Sequence, residues 1–322
     1  MDSITQATLG AAIGEALLRK RIGNKGALLG AVVATIPDLD VLFLPMFDQV
    51  QRISIHRGFS HSIVFCFLAA FIFTWLMSRW KWTKKIDEKR LWLFNFLVLF
   101  THVLLDAFTT YGTQLFLPFS DYRVSFDSIN IVDPFYTVPL LIGLIISMIF
   151  VRKQHPKAFR PNRIGLLISS LYLVLTLVNK QYVEGVFQRA LEQEGIRTED
   201  ILTVPVELGN VRWYGVAQEN GMLYMAKYDE LDPKEIVYDS FEMNEELLDK
   251  IDSHLADRLV WFAQGYFVAA ENDGKIRVYN MQCDMQGARH FGDYVAPTAF
   301  YYEVTPHTDG TFDLDVGMHH KD

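Results

Sequence analysis

Uncharged apolar runs recur through the first 180 residues. They cover Gly26–Phe47 (broken by Asp38 and Asp40), Ser62–Ser78, Leu91–Leu105 (interrupted by Asn95, Thr101 and His102), Pro134–Val151 and Ile164–Asn179. A spanning helix needs about 20 apolar residues, with a range of roughly 17–25. Each run reaches that length with a few flanking residues. Buried helices of a soluble core would show the same apolarity, but so many runs in so short a stretch exceed what such a core uses. The pattern therefore predicts about five spans. Residues 1–18 have no basic stretch ahead of an apolar one, so they do not read as a signal peptide. A short span or a re-entrant helix fits them better.

From about residue 181 the period changes. Tyr182–Glu194 extends the last span as a helix. Short β-type runs follow at Ile201–Leu208, Val211–Ala217, Met222–Tyr228, Leu259–Ala270, Lys275–Tyr279, Phe300–Val304 and Thr311–Val316. Turn signals at Gly209-Asn210, Asn220-Gly221 and Asn272-Asp273-Gly274 separate several of them. One helix is expected over Asn244–Leu255. The predicted fold is a multi-spanning α-helical membrane domain over 1–180. An extramembrane α+β domain with a mostly antiparallel sheet follows over 181–322.

Charge sharpens this division. Of the 322 residues, the first 180 carry 19 Lys/Arg and 11 Asp/Glu, and the rest carry 11 and 27. The second half is thus strongly acidic, which argues against nucleic acid as a partner. Two distant cysteines, Cys66 and Cys283, exclude a disulfide scaffold and a zinc ribbon. Basic residues cluster at Arg19–Lys25, Arg79–Arg90 and Arg152–Arg163, whereas 48–61 and 109–130 are poor in them. Under the positive-inside rule the rich loops are cytoplasmic. The last span then runs outward and leaves the acidic half outside the cytoplasm.

Ionisable residues within or beside spans are expensive and mark functional sites by default. Asp38 and Asp40 sit in one span, His56 and His61 flank the next loop, His102 and Asp106 lie four apart on one helix face, and Asp133 opens a later span. The predicted topology brings all seven to the outer face. Imidazole with carboxylate suits zinc, with manganese or iron also compatible. Seven candidates are too many for one tetrahedral site and about right for two metals sharing a carboxylate, which would activate a water and clamp both oxygens of a phosphoryl or acyl transition state. Singly, each His reads as a hydrogen-bonded structural residue, and Asp38 with Asp40 as a cap on a helix broken at Pro37. Arg57 and Arg123 are candidates to hold a substrate phosphate or carboxylate, or are headgroup anchors. Ser60 and Ser62 beside His61 lack a nucleophile elbow. Glu15 reads as a partner for the nearby basic cluster, and His319 with His320 as a frayed terminus.

The strings MDSITQATLGAAIGEALL, IPDLDVLF, HRGFSHS, THVLLDAFTTYGTQLF and DPFYT, spread over about residues 1–140, resemble the LexA-binding, inner-membrane-associated metal-dependent hydrolase family. The resemblance implies a bacterial multi-pass plasma-membrane protein. By motif it makes Asp38, Asp40, His56, His61, His102, Asp106 and Asp133 the metal ligands. Many members carry a Thr-His pair near the N-terminus, where this chain has Thr5-Gln6. The expected activity is hydrolysis of a phosphoester or ester of a lipid or lipid-linked substrate, with Asp38, Asp40, His102 and Asp106 as the catalytic set. A transporter using the same Asp/His layer is the rival. A third alternative is an inactive scaffold whose acidic domain recruits a protein partner.

Overall fold

A computed structural model describes the chain except for residues 153–156, 158, 199, 207–208, 283–288, 292–293, 297–299, 308–310 and 319–322. Cys283, His319 and His320 therefore lie outside the described residues. The chain forms two compact units, Met1–Pro45 with Ile55–Leu177, and Met46–Ser54 with Val178–Asp322.

The first unit is helical. Its elements are α1 (Ser3–Ile22), α2 (Lys25–Ala34), a 3₁₀ segment (Pro37–Met46), a 3₁₀ turn (Phe59–His61), α4 (Ile63–Arg79), α5 (Glu88–Ala107), α6 (Pro134–Arg152) and α7 (Arg160–Gln193, which continues into the second unit), while α3 (Gln49–Ile55) belongs almost wholly to the second unit. Among the described residues, three stretches are long and apolar enough to cross a membrane: Lys25–Met46, Glu88–Ala107 and Arg160–Gln193. Gln49–His61 with Ile63–Arg79, bent by 54°, makes a fourth if the pair is one span. Pro134–Phe150 is apolar but shorter. Several of these helices leave large apolar side chains uncovered: α7 leaves Leu167, Leu171, Val174, Leu175 and Val178 exposed.

Helix α1 differs, because most of its length is buried. It packs on α2 along a seam of glycines. A Cβ on Gly14 would lie 2.1 Å from the Gly26 carbonyl oxygen, and one on Gly30 would lie 1.9 Å from that of Gly10. Small residues let two backbones approach where the surrounding medium gives helices no hydrophobic reason to associate. Polar clasps add to this. Glu15 pairs with Arg19 (3.2 Å) and accepts from Ser147 Oγ (2.8 Å) and Asn162 Nδ2 (2.7 Å), tying α1 to α6 and α7. Past α5 the chain folds back over that helix's C-terminal end. Phe126 and Ser128 donate to the carbonyls of Ala107 and Phe108, and Gln114 donates to that of Arg57.

The second unit holds two four-stranded antiparallel sheets rather than one. Strands β1 (Ile201–Pro205), β2 (Arg212–Glu219), β3 (Met222–Asp229) and β4 (Asp239–Glu242) lie in sequence order. Strands β5 (Phe267–Asn272), β6 (Lys275–Asn280), β9 (Phe300–Pro306) and β10 (Phe312–Met318) are ordered β10-β9-β6-β5, and β7 (Arg289–Phe291) pairs with β8 (Tyr294–Ala296). Val183 and Phe187 of α7 pack on Trp213, Ala226 and Tyr228 of the first sheet. Two expectations need correction. Asn244–Leu255 is not one helix, and 259–270 is not one strand. A 3₁₀ segment spans Glu245–Lys250, and α8 (Ser253–Phe262) starts at the Asp252 cap. Leu255, Ala256, Leu259 and Phe262 are its buried residues, a helical period that alternation does not describe.

Candidate metal centre

Four of the singled-out side chains converge. Asp38, on the 3₁₀ segment after α2, His61, at the turn before α4, and His102 and Asp106, one turn apart on α5, each offer a ligand atom within 4.8 Å of the others. His61 Nε2 lies 3.4 Å from Asp38 Oδ1 and 3.3 Å from Asp106 Oδ2. His102 Nε2 lies 3.4 Å from each of the same two oxygens. Charge-assisted N–H···O bonds are shorter, about 2.7–2.9 Å. A tetrahedron with metal–ligand arms of about 2.0–2.1 Å instead has edges of about 3.3–3.4 Å. His61 Nε2, His102 Nε2 and Asp106 Oδ2 are buried with no hydrogen-bond partner. Leaving such atoms unsatisfied is costly, and a cation at their focus removes the cost.

The surroundings orient these ligands. Asp40 Oδ2 accepts from the Arg57 amide and from Ser60 Oγ, both at 3.0 Å. Ser60 Oγ, 2.9 Å from His61 Nδ1, is then left to accept from that ring nitrogen, and Asp40 Oδ2 itself stands 3.6 Å from it. A proton fixed on Nδ1 leaves Nε2 with its lone pair directed at the focus, the arrangement carboxylate neighbours impose on metal-bound histidines. The Nδ1 of His102 has no partner, so the packing of α5 sets that ring. Asp106 is divided. Its Oδ1 faces Gln6 Nε2 (3.0 Å), Arg57 Nη2 (3.4 Å) and the Met1 amino group, which leaves Oδ2 for the focus.

The remaining candidates lie around or away from this group. His56 Nδ1 pairs with Asp40 Oδ1 at 3.1 Å, so both stand one layer out. Asp133 is outside it. Its Oδ1 caps α6 through the Phe135 amide (2.8 Å), and its Oδ2 accepts from Tyr172 Oη (2.7 Å). Arg57 takes a left-handed backbone conformation (φ 56°) that non-glycine residues adopt rarely. Its Nη1 donates to Thr109 Oγ1 (2.9 Å). Arg123 is buried, with its guanidinium over the Tyr111 ring. Sequence reasoning gave no role to Thr109 or Tyr111 and noted Gln6 only as the residue standing in place of a family histidine. The signal for Gln6 was the polar run Thr5-Gln6-Ala7-Thr8 in a helix otherwise rich in small and apolar residues.

The YdjM inner membrane protein family matches residues 1–183 of the chain. The chain is 33% identical over 153 residues to the uncharacterized protein YfhP of Bacillus subtilis (strain 168), a match covering 45% of this chain and 46% of YfhP. It is 35% identical over 122 residues to the inner membrane protein YbcI of Escherichia coli (strain K12), covering 37% of this chain and 69% of YbcI. The chain thus spans about half the length of YfhP. No solved structure matches. The matched residues hold every side chain of the Asp38–His61–His102–Asp106 group, and the chain belongs to the YdjM inner membrane protein family.

Proposed function

We propose that the chain is an integral membrane hydrolase dependent on one divalent metal ion, zinc by its two-imidazole, two-carboxylate set. The observation that carries this reading is the set of 3.3–3.4 Å separations between two imidazole nitrogens and two carboxylate oxygens, three of these atoms buried and unpartnered. Asp38, His61, His102 and Asp106 would hold the ion. Four ligands close a tetrahedral site, so hydrolysis would require Asp38, the exposed ligand, to yield its position to water; an ion so held would act as a Lewis acid and make water a competent nucleophile near neutral pH.

The chain's own residues supply the rest. Asp40, through Ser60, fixes the His61 tautomer, while Gln6 and Arg57 hold Asp106 in place. Asp38 is 30% exposed at its side chain, whereas His61, His102 and Asp106 are at most 1% exposed. It would therefore be the ligand that meets incoming water and, once released from the ion, the base that takes its proton. The substrate would be an ester of a lipid or lipid-linked molecule, reached from the outer face of the inner membrane.

Elemental analysis of detergent-purified protein tests this reading. One equivalent of zinc or manganese in wild type, lost in a His102→Ala/Asp106→Ala variant that still folds, is expected. Well-folded wild type that takes up no metal after supplementation would overturn it. The rival cation pathway predicts instead that metal enters reconstituted vesicles and that no ester is cleaved.

A further inference from the structure

One cation at the centre has more hydrogen-bonding capacity than its neighbours use. Arg57 is 7% exposed, its Nη1 serves Thr109, its Nη2 faces Asp106 Oδ1, and its Nε is buried with no partner. Its guanidinium carbon lies 4.9 Å from the centroid of the Tyr111 ring, and that of Arg123, 4% exposed, lies 5.0 Å from the same centroid. The His56 ring meets Tyr111 edge-on at 5.3 Å. Two buried guanidinium groups are thus gathered on one aromatic ring, and one of them touches the carboxylate whose other oxygen belongs to the metal group.

Holding Asp106 needs a positive charge but not a planar fork with an unused N–H. That fork matches an oxyanion, and a ring beneath it fixes its plane. A neutral carboxylic ester brings no charge for such a group to meet. A phosphate ester brings a tetrahedral oxyanion, able to place one oxygen toward the ion and another toward Arg57. Resting on the metal-centre reading, we propose that Arg57, stacked on Tyr111, is an anion-recognition element and that the ligand is a phosphate ester.

The test is calorimetric titration of zinc-loaded, detergent-solubilised full-length protein with inorganic phosphate, with metal content measured on the same samples. Wild type should bind phosphate at least tenfold more tightly than acetate. Arg57→Lys, which keeps the charge beside Asp106 but removes the fork, should weaken phosphate at least tenfold when both proteins are loaded to the same measured zinc content. Tyr111→Leu, a second variant that leaves every ligand in place, should weaken it severalfold. Stoichiometric zinc without phosphate binding overturns the proposal alone, as does equal affinity in Arg57→Lys or acetate binding as tightly as phosphate. Absence of zinc overturns the metal reading beneath it as well. Displacement of bound phosphate by phosphatidic acid in mixed micelles, or by glycerol 3-phosphate, would support the proposal and assign the phosphate to a lipid or a soluble ester. Displacement by neither would overturn it.

Discussion

The two oxygens of Asp106 occupy opposite environments, and that asymmetry makes the centre testable one residue at a time. Oδ1 receives Gln6 and Arg57, while Oδ2 faces two imidazole nitrogens and nothing else. Gln6→Ala removes a donor from the first oxygen and lets the carboxylate turn. Outer-layer partners of this kind are worth about 10–100-fold in metal affinity, so a chelator competition should show zinc held roughly tenfold more weakly. Asp40→Asn should do the same, because the amide can present an N–H toward Ser60 and unsettle the His61 tautomer. Asp133→Asn is the contrasting case. Its carboxylate caps α6, and asparagine caps a helix about as well as aspartate, so zinc affinity and stability should both stay close to wild type. Loss of zinc in Asp133→Asn would place that residue among the ligands after all. The sequence exposed the acid and imidazole partners through their rarity in apolar runs. It could not rank them, because which carboxylate reaches the focus depends on the 3₁₀ segment after Pro37 and on the turn at Arg57. Gln6 was noted only as a departure from the family's Thr-His pair, because a neutral amide in a helix is a weaker signal than a charge in an apolar run.

At the scale of elements, the α1–α2 seam joins fold and site, since α1 carries Gln6 and α2 leads into Asp38. Gly30→Ala would drive a methyl group to 1.9 Å from the Gly10 carbonyl oxygen. Overpacking of this kind costs about 1–3 kcal/mol, so a lowered Tm together with weakened zinc binding is expected. Gly185→Ala on α7 meets only the Arg189 Nη1 atom, at 3.5 Å, and should leave both unchanged or raise Tm slightly, because alanine favours the helix. The second unit offers a pH test. Glu303 on β9 accepts from Lys275 Nζ (2.6 Å) and Arg277 Nε (2.8 Å) on β6. The Lys275 hydrogen bond is the main reason its carboxyl is held below the usual glutamate range, with Arg277 adding to it against some desolvation. The unfolded chain therefore binds this proton more readily than the folded one. The pair's contribution is complete above the ordinary glutamate pKa and disappears as pH falls through the lowered value. With Lys275 largely in water, that contribution is small. Unfolding of Glu303→Gln should accordingly be less acid-sensitive than wild type below about pH 5. Apolar runs announced α4 to α7, and turn residues announced most strands. The split into two sheets was not legible, because strand alternation shows which residues face inward but not which strand lies beside which.

For the whole molecule, the separation of charge is what the sequence shows and contact geometry does not. Basic residues gather in the 19–25, 79–90 and 152–163 stretches, and acidic residues gather after 181. Lys and Arg in short loops resist export, whereas acidic residues contribute little to orientation. The basic 152–163 stretch around the start of α7 thus favours a cytoplasmic start for that helix and an external position for the acidic residues beyond it. Single cysteines can decide this in a Cys66→Ser/Cys283→Ser background. Asp232→Cys lies in an exposed turn after β3, and Lys84→Cys lies exposed between α4 and α5. In spheroplasts with an intact inner membrane, a charged, impermeant maleimide should label Asp232→Cys at once, and Lys84→Cys only after lysis. The reverse pattern would put the acidic unit in the cytoplasm. By the same loop count it would also move the open, Asp38 side of the centre to the inner face, so the substrate would have to be sought among cytoplasmic esters.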